Sequence, residues 1–146
     1  MRYLVDTNIL LLAAQPTHPM NEAAARALKI LMERDESLAV AIQNIAEFWN
    51  VATRPAKNNG LGFTIEEAKT ELAKLEGFFE IVSENTASYA AWKTLVTTRR
   101  VSGVEVHDAR LAAVMKAHGI TKILTFNNRD FARFDGIEAI LPDQIA

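Results

Sequence analysis

Asp6 ends a short apolar run, Tyr3-Leu4-Val5, and is followed by Thr7-Asn8 and the apolar stretch Ile9 to Ala14. Such a run reads as a buried parallel strand, and in open α/β sheets the carboxyl ends of the strands are where ligands bind. An Asp before an apolar stretch is equally a helix N-cap, so the local sequence leaves both readings open. Asp108 lies three, four and seven residues before Leu111, Ala112 and Met115, in line with the apolar stripe of a helix predicted over 105–118. An acid on that line needs a partner, because burying it unpaired costs several kcal/mol or forces it to take a proton. The competing reading is an acid that complements the helix dipole. Asn127 closes a further strand, residues 122–126, and parallel topology would bring it to the same rim as Asp6 and Asp108.

Two carboxylates about 4 Å apart repel by roughly 4 kcal/mol at an effective dielectric near 20, so such a cluster needs a cation or a shared proton. Oxygen-only ligands completed by water suit Mg²⁺ or Mn²⁺ rather than zinc. Histidine offers no zinc alternative: His107 and His118 stand roughly 16 Å apart along the helix axis, too far to share an ion. His107 is expected to be exposed, and His118 to complement the helix dipole. The chain has no Gly-rich phosphate loop, no Ser nucleophile elbow and no Cys-His arrangement.

The elements that must position these residues follow from periodicity. Strand-like runs at 3–5, 38–42, 79–82, 122–126 and 137–141 alternate with helices beginning at Asn21, Gln43, Thr64, Thr86 and Glu105, which predicts a mostly parallel sheet between helical layers. In the helix after Gln43, Ile45, Phe48, Trp49 and Ala52 share the inner face, and Glu47 falls with Arg54 on the side away from it. Thr64 and Glu67 form a capping box. In the helix after Thr86, Tyr89, Trp92, Leu95 and Val96 are expected to be buried. The stretch Lys57-Asn58-Asn59-Gly60-Leu61-Gly62 reads as the most flexible in the chain.

With 146 residues, 49% of them hydrophobic, the chain suits one domain over 1–146 that buries roughly 68 to 70% of its unfolded surface. No cysteine is present, which excludes disulfides and thiolate zinc sites. The apolar stretch after Arg2 is cut at Asp6, so neither a signal peptide nor a membrane span is expected, and a soluble, cytoplasmic protein is. A net charge of −2 argues against coating nucleic acid with a broad basic surface.

Four runs carry a resemblance: Leu4-Val5-Asp6-Thr7-Asn8, Asn44 to Val51, Val106 to Ala113, and Thr125-Phe126-Asn127-Asn128-Arg129-Asp130-Phe131. Together, in this order and over nearly the whole chain, they resemble the four acidic motifs of the PIN domain, and within it the VapC-type toxins of prokaryotic type II toxin–antitoxin pairs. The resemblance implies a three-layer α/β/α domain with strand order 3-2-1-4-5 and a Mg²⁺- or Mn²⁺-dependent endoribonuclease site. It implies Asp6, Glu47 and Asp108 as acidic ligands, with Thr7 and Asn8 bracing Asp6. It also implies cleavage to a 5′-phosphate and a 3′-hydroxyl, an antitoxin partner and a homodimer. Asn127 departs from the commonest pattern, in which an Asp stands there. Its carbonyl can ligate but brings no charge, and Asp130 either replaces that charge or serves as a first-turn helix residue. Arg54, Lys57, Arg110 and Arg129 are candidates for holding the RNA backbone. Two other readings compete with the nuclease: a catalytically weak RNA-binding module of the same fold, and a phosphoacceptor domain. The latter lacks the paired acids after strand one and a Lys near Ile140.

Overall fold

The computed structural model describes all residues from Met1 to Ala146. Strand β1 (Arg2–Val5) is apolar from Tyr3 onward, and Leu4 and Val5 have no exposed surface. Burial on both faces makes it the central strand. It pairs in parallel with β2 (Ser37–Ala41) and β4 (Lys122–Leu124), while β3 (Glu80–Val82) and β5 (Glu138–Ile140) form the edges, so the order is β3-β2-β1-β4-β5. This is the all-parallel α/β sheet expected from alternating strands and helices.

The period of two along each strand divides the core into two layers. Tyr3, Val5, Leu38 and Val40 face one layer with α1 (Thr7–Ala13), α2 (Asn21–Glu33) and α3 (Ile42–Thr53), which contribute Ile9, Leu31 and Phe48. Leucine 75 of α4 (Ile65–Phe78) joins the same layer. Leu4, Ala39 and Ala41 face the other, with α5 (Thr86–Thr98), α6 (Val106–Ala117) and Phe131 of the short α7 (Asn128–Phe131). Helix α6 is buried nearly all round, since Ala109 and every residue from Leu111 to Met115 are covered. No helix is long and apolar enough to cross a membrane.

Local chemistry sets the element ends. Thr64 and Glu67 make the reciprocal capping box, each backbone N–H donating to the other's side chain at 3.1 Å. Strand β2 stops at Ala41 rather than Ile42, because the Asn44 side-chain oxygen accepts the Ala41 N–H at 2.9 Å and starts α3 at once. Strand β4 stops at Leu124 rather than Phe126, where the Thr125 hydroxyl accepts the Asn127 N–H at 2.9 Å and turns the chain.

Two further expectations are corrected. Residues 57–62 are tied down rather than loose: Gly60 donates to the Pro55 carbonyl, Leu61 to Val51 and Gly62 to Arg54, all within 3.1 Å. A Cβ at Gly60 would overlap the Arg54 carbonyl, so only glycine allows this return onto the end of α3. Tyr89 is 61% exposed rather than buried. The inward position is taken by Ser88, which is buried and forms a capping box with Asn85, and Tyr89 is turned outward one residue on.

Candidate active site

Asp6 stands at the carboxyl end of the central strand and serves as cap and site residue together. One carboxylate oxygen accepts the Thr7 N–H at 2.8 Å, capping α1. The other accepts the Thr125 hydroxyl at 2.8 Å and lies 3.5 Å from the Asn8 amide nitrogen. An ionised carboxylate offers about four lone-pair directions, so these bonds leave acceptor capacity free. Asn8 is itself held by the Phe126 N–H, which its side-chain oxygen accepts at 3.3 Å.

Burial pushes the Asp6 carboxyl up to about 6, against the hydrogen bonds from Thr125 and Thr7 that favour its charge, with Glu47 and Asp108 adding repulsion. These three acids, separated by as many as 102 positions in sequence, therefore feel one another in the folded chain. Asp108 is half-buried in the first turn of α6, and its pKa is raised by burial first, then by the charges of Asp130, Glu47 and Glu105, with Arg133 opposing.

Glu47 is not the solvent-facing residue that the helical wheel suggests. It is half-buried, accepting the Thr7 hydroxyl at 2.9 Å and the Gln43 amide at 3.0 Å. The face of α3 opposite its apolar stripe does not meet bulk water; it lines the rim of the sheet. Asn44 supports the arrangement by donating to the Thr7 hydroxyl at 3.2 Å. The same Gln43 amide also donates to the His107 carbonyl at 3.0 Å, joining α3 to the start of α6. Both partners are acceptors, so the amide orientation is set, and Gln43 Oε1 is left buried without a partner.

Arg133 is the one cation in contact with these acids. Its guanidinium lies 3.6 Å from Asp108 and 3.1 Å from Glu105, with its carbon 5.0 Å from the Phe134 ring centroid. The remaining predicted residues divide. Asn127 is exposed and its side chain makes no hydrogen bond; it joins the site through its backbone alone. Asp130 is also exposed, in α7, and it supplies the charge near Asp108 that Asn127 does not. Arg110 is paired with Glu84. Arg54 caps the end of α3, and Lys57 and Arg129 are exposed without ion pairs. His107 is exposed, and His118 Nε2 lies 2.7 Å from the Ser83 carbonyl.

The site residues that sequence reasoning did not assign are Gln43, Asn44, Thr125 and Arg133. Polar residues within three positions of the end of a buried strand are the signal that marks Gln43, Asn44 and Thr125. No local pattern marks Arg133.

As the side chains stand, no three His, Cys, Asp or Glu residues are gathered tightly enough to hold a metal ion by themselves. Asp6, Glu47 and Asp108 are within Coulombic reach of one another. The donor set nevertheless fits a hard divalent ion bound by one or two carboxylates and water. It is oxygen-only, it carries more negative charge than Arg133 offsets, and it holds an unsatisfied buried oxygen on Gln43.

Thr125 provides a direct check on the electrostatics. Thr125→Val removes the donor to Asp6, so the Asp6 carboxyl should rise above 6, and it also removes the acceptor of the Asn127 N–H, a loss that does not depend on pH. The variant should lose about 1–3 kcal/mol at pH 8. The loss should shrink at pH 5, where Asp6 is protonated, as read from urea denaturation at the two pH values.

The fold is an α/β domain with a cluster of acids at the carboxyl edge of a five-stranded parallel sheet. The family model described as PIN domain matches residues 3–137, and the chain belongs to this family. Among solved structures it is similar to VapBC2 from Rickettsia felis bound to a DNA fragment from its promoter, with TM-score 0.70 and 18% identity over 97% of this chain and 98% of that one. It is similar to VapBC-1 from nontypeable Haemophilus influenzae, with TM-score 0.67 and 18% identity over 98% and 99% of the two chains. It is also similar to VapC20 of Mycobacterium tuberculosis, described as a sarcin-ricin loop cleaving toxin, with TM-score 0.65 and 18% identity over 90% and 95%. At these identities the likeness is one of fold. No match is found among curated proteins.

Proposed function

We propose that this chain is a Mg²⁺- or Mn²⁺-dependent endoribonuclease, the VapC-type toxin of a toxin–antitoxin pair, acting in the cytoplasm as a homodimer. The observation that carries the reading is Asp6: a buried carboxylate, raised to about 6, with the charges of Glu47 and Asp108 around it. An arrangement that holds three acids against their mutual repulsion stores an affinity for a cation. The structures of similar fold described as VapBC, and one described as a sarcin-ricin loop cleaving toxin, support the same reading.

Asp6 and Asp108 would hold the ion, with Glu47, Asn127 and Asp130 as further oxygen donors. When bound, the ion supplies positive charge that polarises the scissile phosphate. Glu47, oriented by Thr7 and Gln43, would bind the ion or position the attacking water. Arg133 contributes a fixed positive charge beside Asp108. Arg54, Lys57 and Arg129 carry no ion pair and remain available to RNA phosphates, whereas Arg110 would first have to leave Glu84. The products would be a 5′-phosphate and a 3′-hydroxyl.

For the antitoxin, a recess of about 640 Å³ lies among α1, α2, α3 and α4 and is mostly apolar, with Leu28, Met32, Phe78 and Phe79 in its wall and Lys29, Glu71 and Lys74 at its rim. It suits a partner that presents an apolar face.

The experiment is cleavage of a structured RNA in Mn²⁺. Cutting should stop in EDTA and fall at least a hundredfold in Asp108→Asn, a variant whose circular dichroism should match the parent. Full activity in that folded variant would exclude the metal assignment. A second reading, an RNA-binding module with little catalysis, is favoured by the exposed and uncharged Asn127. It requires RNA binding with and without metal and no cutting in either.

A further inference from the structure

Beside the acidic cluster lies a separate pocket of about 290 Å³, between the start of α5 and the start of α6. Its apolar wall is the Tyr89–Trp92 pair, with ring centroids 6.2 Å apart and planes at 27°. Trp92 is locked in place, because its indole N–H donates to the Val106 carbonyl at 3.2 Å. Tyr89 is 61% exposed, so its ring faces the pocket mouth and is open to a ligand. The polar wall consists of Glu84, Arg110 and His107, and the exposed His107 ring makes no hydrogen bond. Gln43 ties the two sites together, since one amide donates both to Glu47 in the acid cluster and to the His107 carbonyl in the pocket wall.

We infer that this pocket is a subsite for one unpaired nucleobase of the RNA substrate, stacked on Tyr89 and Trp92 and bonded at its edge by Glu84, Arg110 or His107. This deepens the ribonuclease reading and rests on it for the identity of the ligand. The chemistry favours a base over a phosphate, because Glu84 already neutralises Arg110 and leaves the pocket without the excess positive charge a phosphate needs. A base brings an apolar face together with an edge of donors and acceptors, and that pairing matches an aromatic wall opposite a carboxylate and a guanidinium. The volume accepts a single nucleoside rather than a duplex, so a nucleotide would enter from a loop or a bulge and leave its neighbouring phosphate next to Asp108.

The test is the affinity of end-labelled short oligoribonucleotides, measured by fluorescence anisotropy in EDTA so that nothing is cut. Tyr89→Ala is expected to weaken binding about tenfold, and Tyr89→Phe, which keeps the ring, to bind like the parent. An oligonucleotide of abasic residues should bind the parent about tenfold more weakly than the normal one and should not distinguish it from Tyr89→Ala. Equal affinities for parent and Tyr89→Ala would overturn the subsite and leave the nuclease reading intact. Base-dependent binding in a protein that cuts no RNA in Mn²⁺ would support the subsite and overturn the nuclease. If the aromatic face instead holds a second copy of this chain, sedimentation should show Tyr89→Ala dissociating a dimer while RNA affinity stays unchanged, and that result would overturn the subsite.

Discussion

Asp6→Asn should make the metal-free protein more stable at pH 8, by about 2–3 kcal/mol, while abolishing metal-dependent cleavage. In the folded chain burial lifts this carboxyl from 3.8 to about 6, so ionising it at high pH costs the native state roughly 3 kcal/mol more than it costs the unfolded one. Asparagine removes that cost. It is a good N-cap, so its oxygen can still accept the Thr7 N–H that Asp6 now takes at 2.8 Å. The Thr125 hydroxyl can accept from the new amide by giving up the Asn8 amide it now holds at 3.3 Å, while keeping the Asn127 N–H. For an acid whose folded pKa is raised, the stability present at low pH is lost as pH rises from the unfolded value near 4 to about 6, and it stays lost above that. The advantage of Asp6→Asn should therefore be full at pH 8 and nearly gone at pH 4. Urea denaturation in EDTA at both pH values measures it, and a variant less stable than the parent at pH 8 would refute the electrostatic account. A gain in stability with loss of activity is the expected mark of a site that holds charges in place for a ligand.

Adding a divalent ion should reverse the pH dependence of stability. In EDTA the parent should lose stability as pH rises from 4 to about 6, because the raised carboxyls of Asp6 and Asp108 ionise against burial and against one another. A cation held between them stabilises the charged forms and drives both pKa values down. The folded state then binds fewer protons than the unfolded one, and stability should rise over the same interval. At an ion concentration a hundred times its dissociation constant, binding adds about 2.7 kcal/mol, which for a chain of this length raises the melting temperature by several degrees. Thermal unfolding in Mn²⁺ and in EDTA across pH 4 to 8 separates the two curves. Asp108→Asn should abolish most of the difference, and parallel curves in the parent would exclude an ion at these acids. The readout is independent of RNA, so it tests the site even where the substrate is unidentified.

Much of this arrangement was legible before any coordinates. The runs 3–5 and 122–126 read as strands closed by Asp6 and Asn127, and two such strands in parallel must present their ends at one rim. The capping box at Thr64 and the inward line of Asp108 are likewise short-range patterns, set by the 3.6-residue helical period. For Asp6 the local sequence left the cap open, and the structure shows the cap to be made. In the fold Asp6 takes the Thr7 N–H on one oxygen and the Thr125 hydroxyl on the other.

What the sequence by itself determined is the order and type of the elements, the parallel sheet, and the delivery of Asp6 and Asp108 to its carboxyl edge. These follow from hydrophobic periodicity and from the connection rules of parallel strands, which act over a few residues or apply to any such chain. Only the tertiary structure decided that Glu47 is enclosed by Thr7 and Gln43, that Arg133 rather than a nearer cation faces Asp108, that Tyr89 turns outward, and that residues 57–62 fold back on α3. A helical wheel states which way a side chain points from its own axis. It does not state what stands there, and at this site the answer comes from residues as far as 119 positions away.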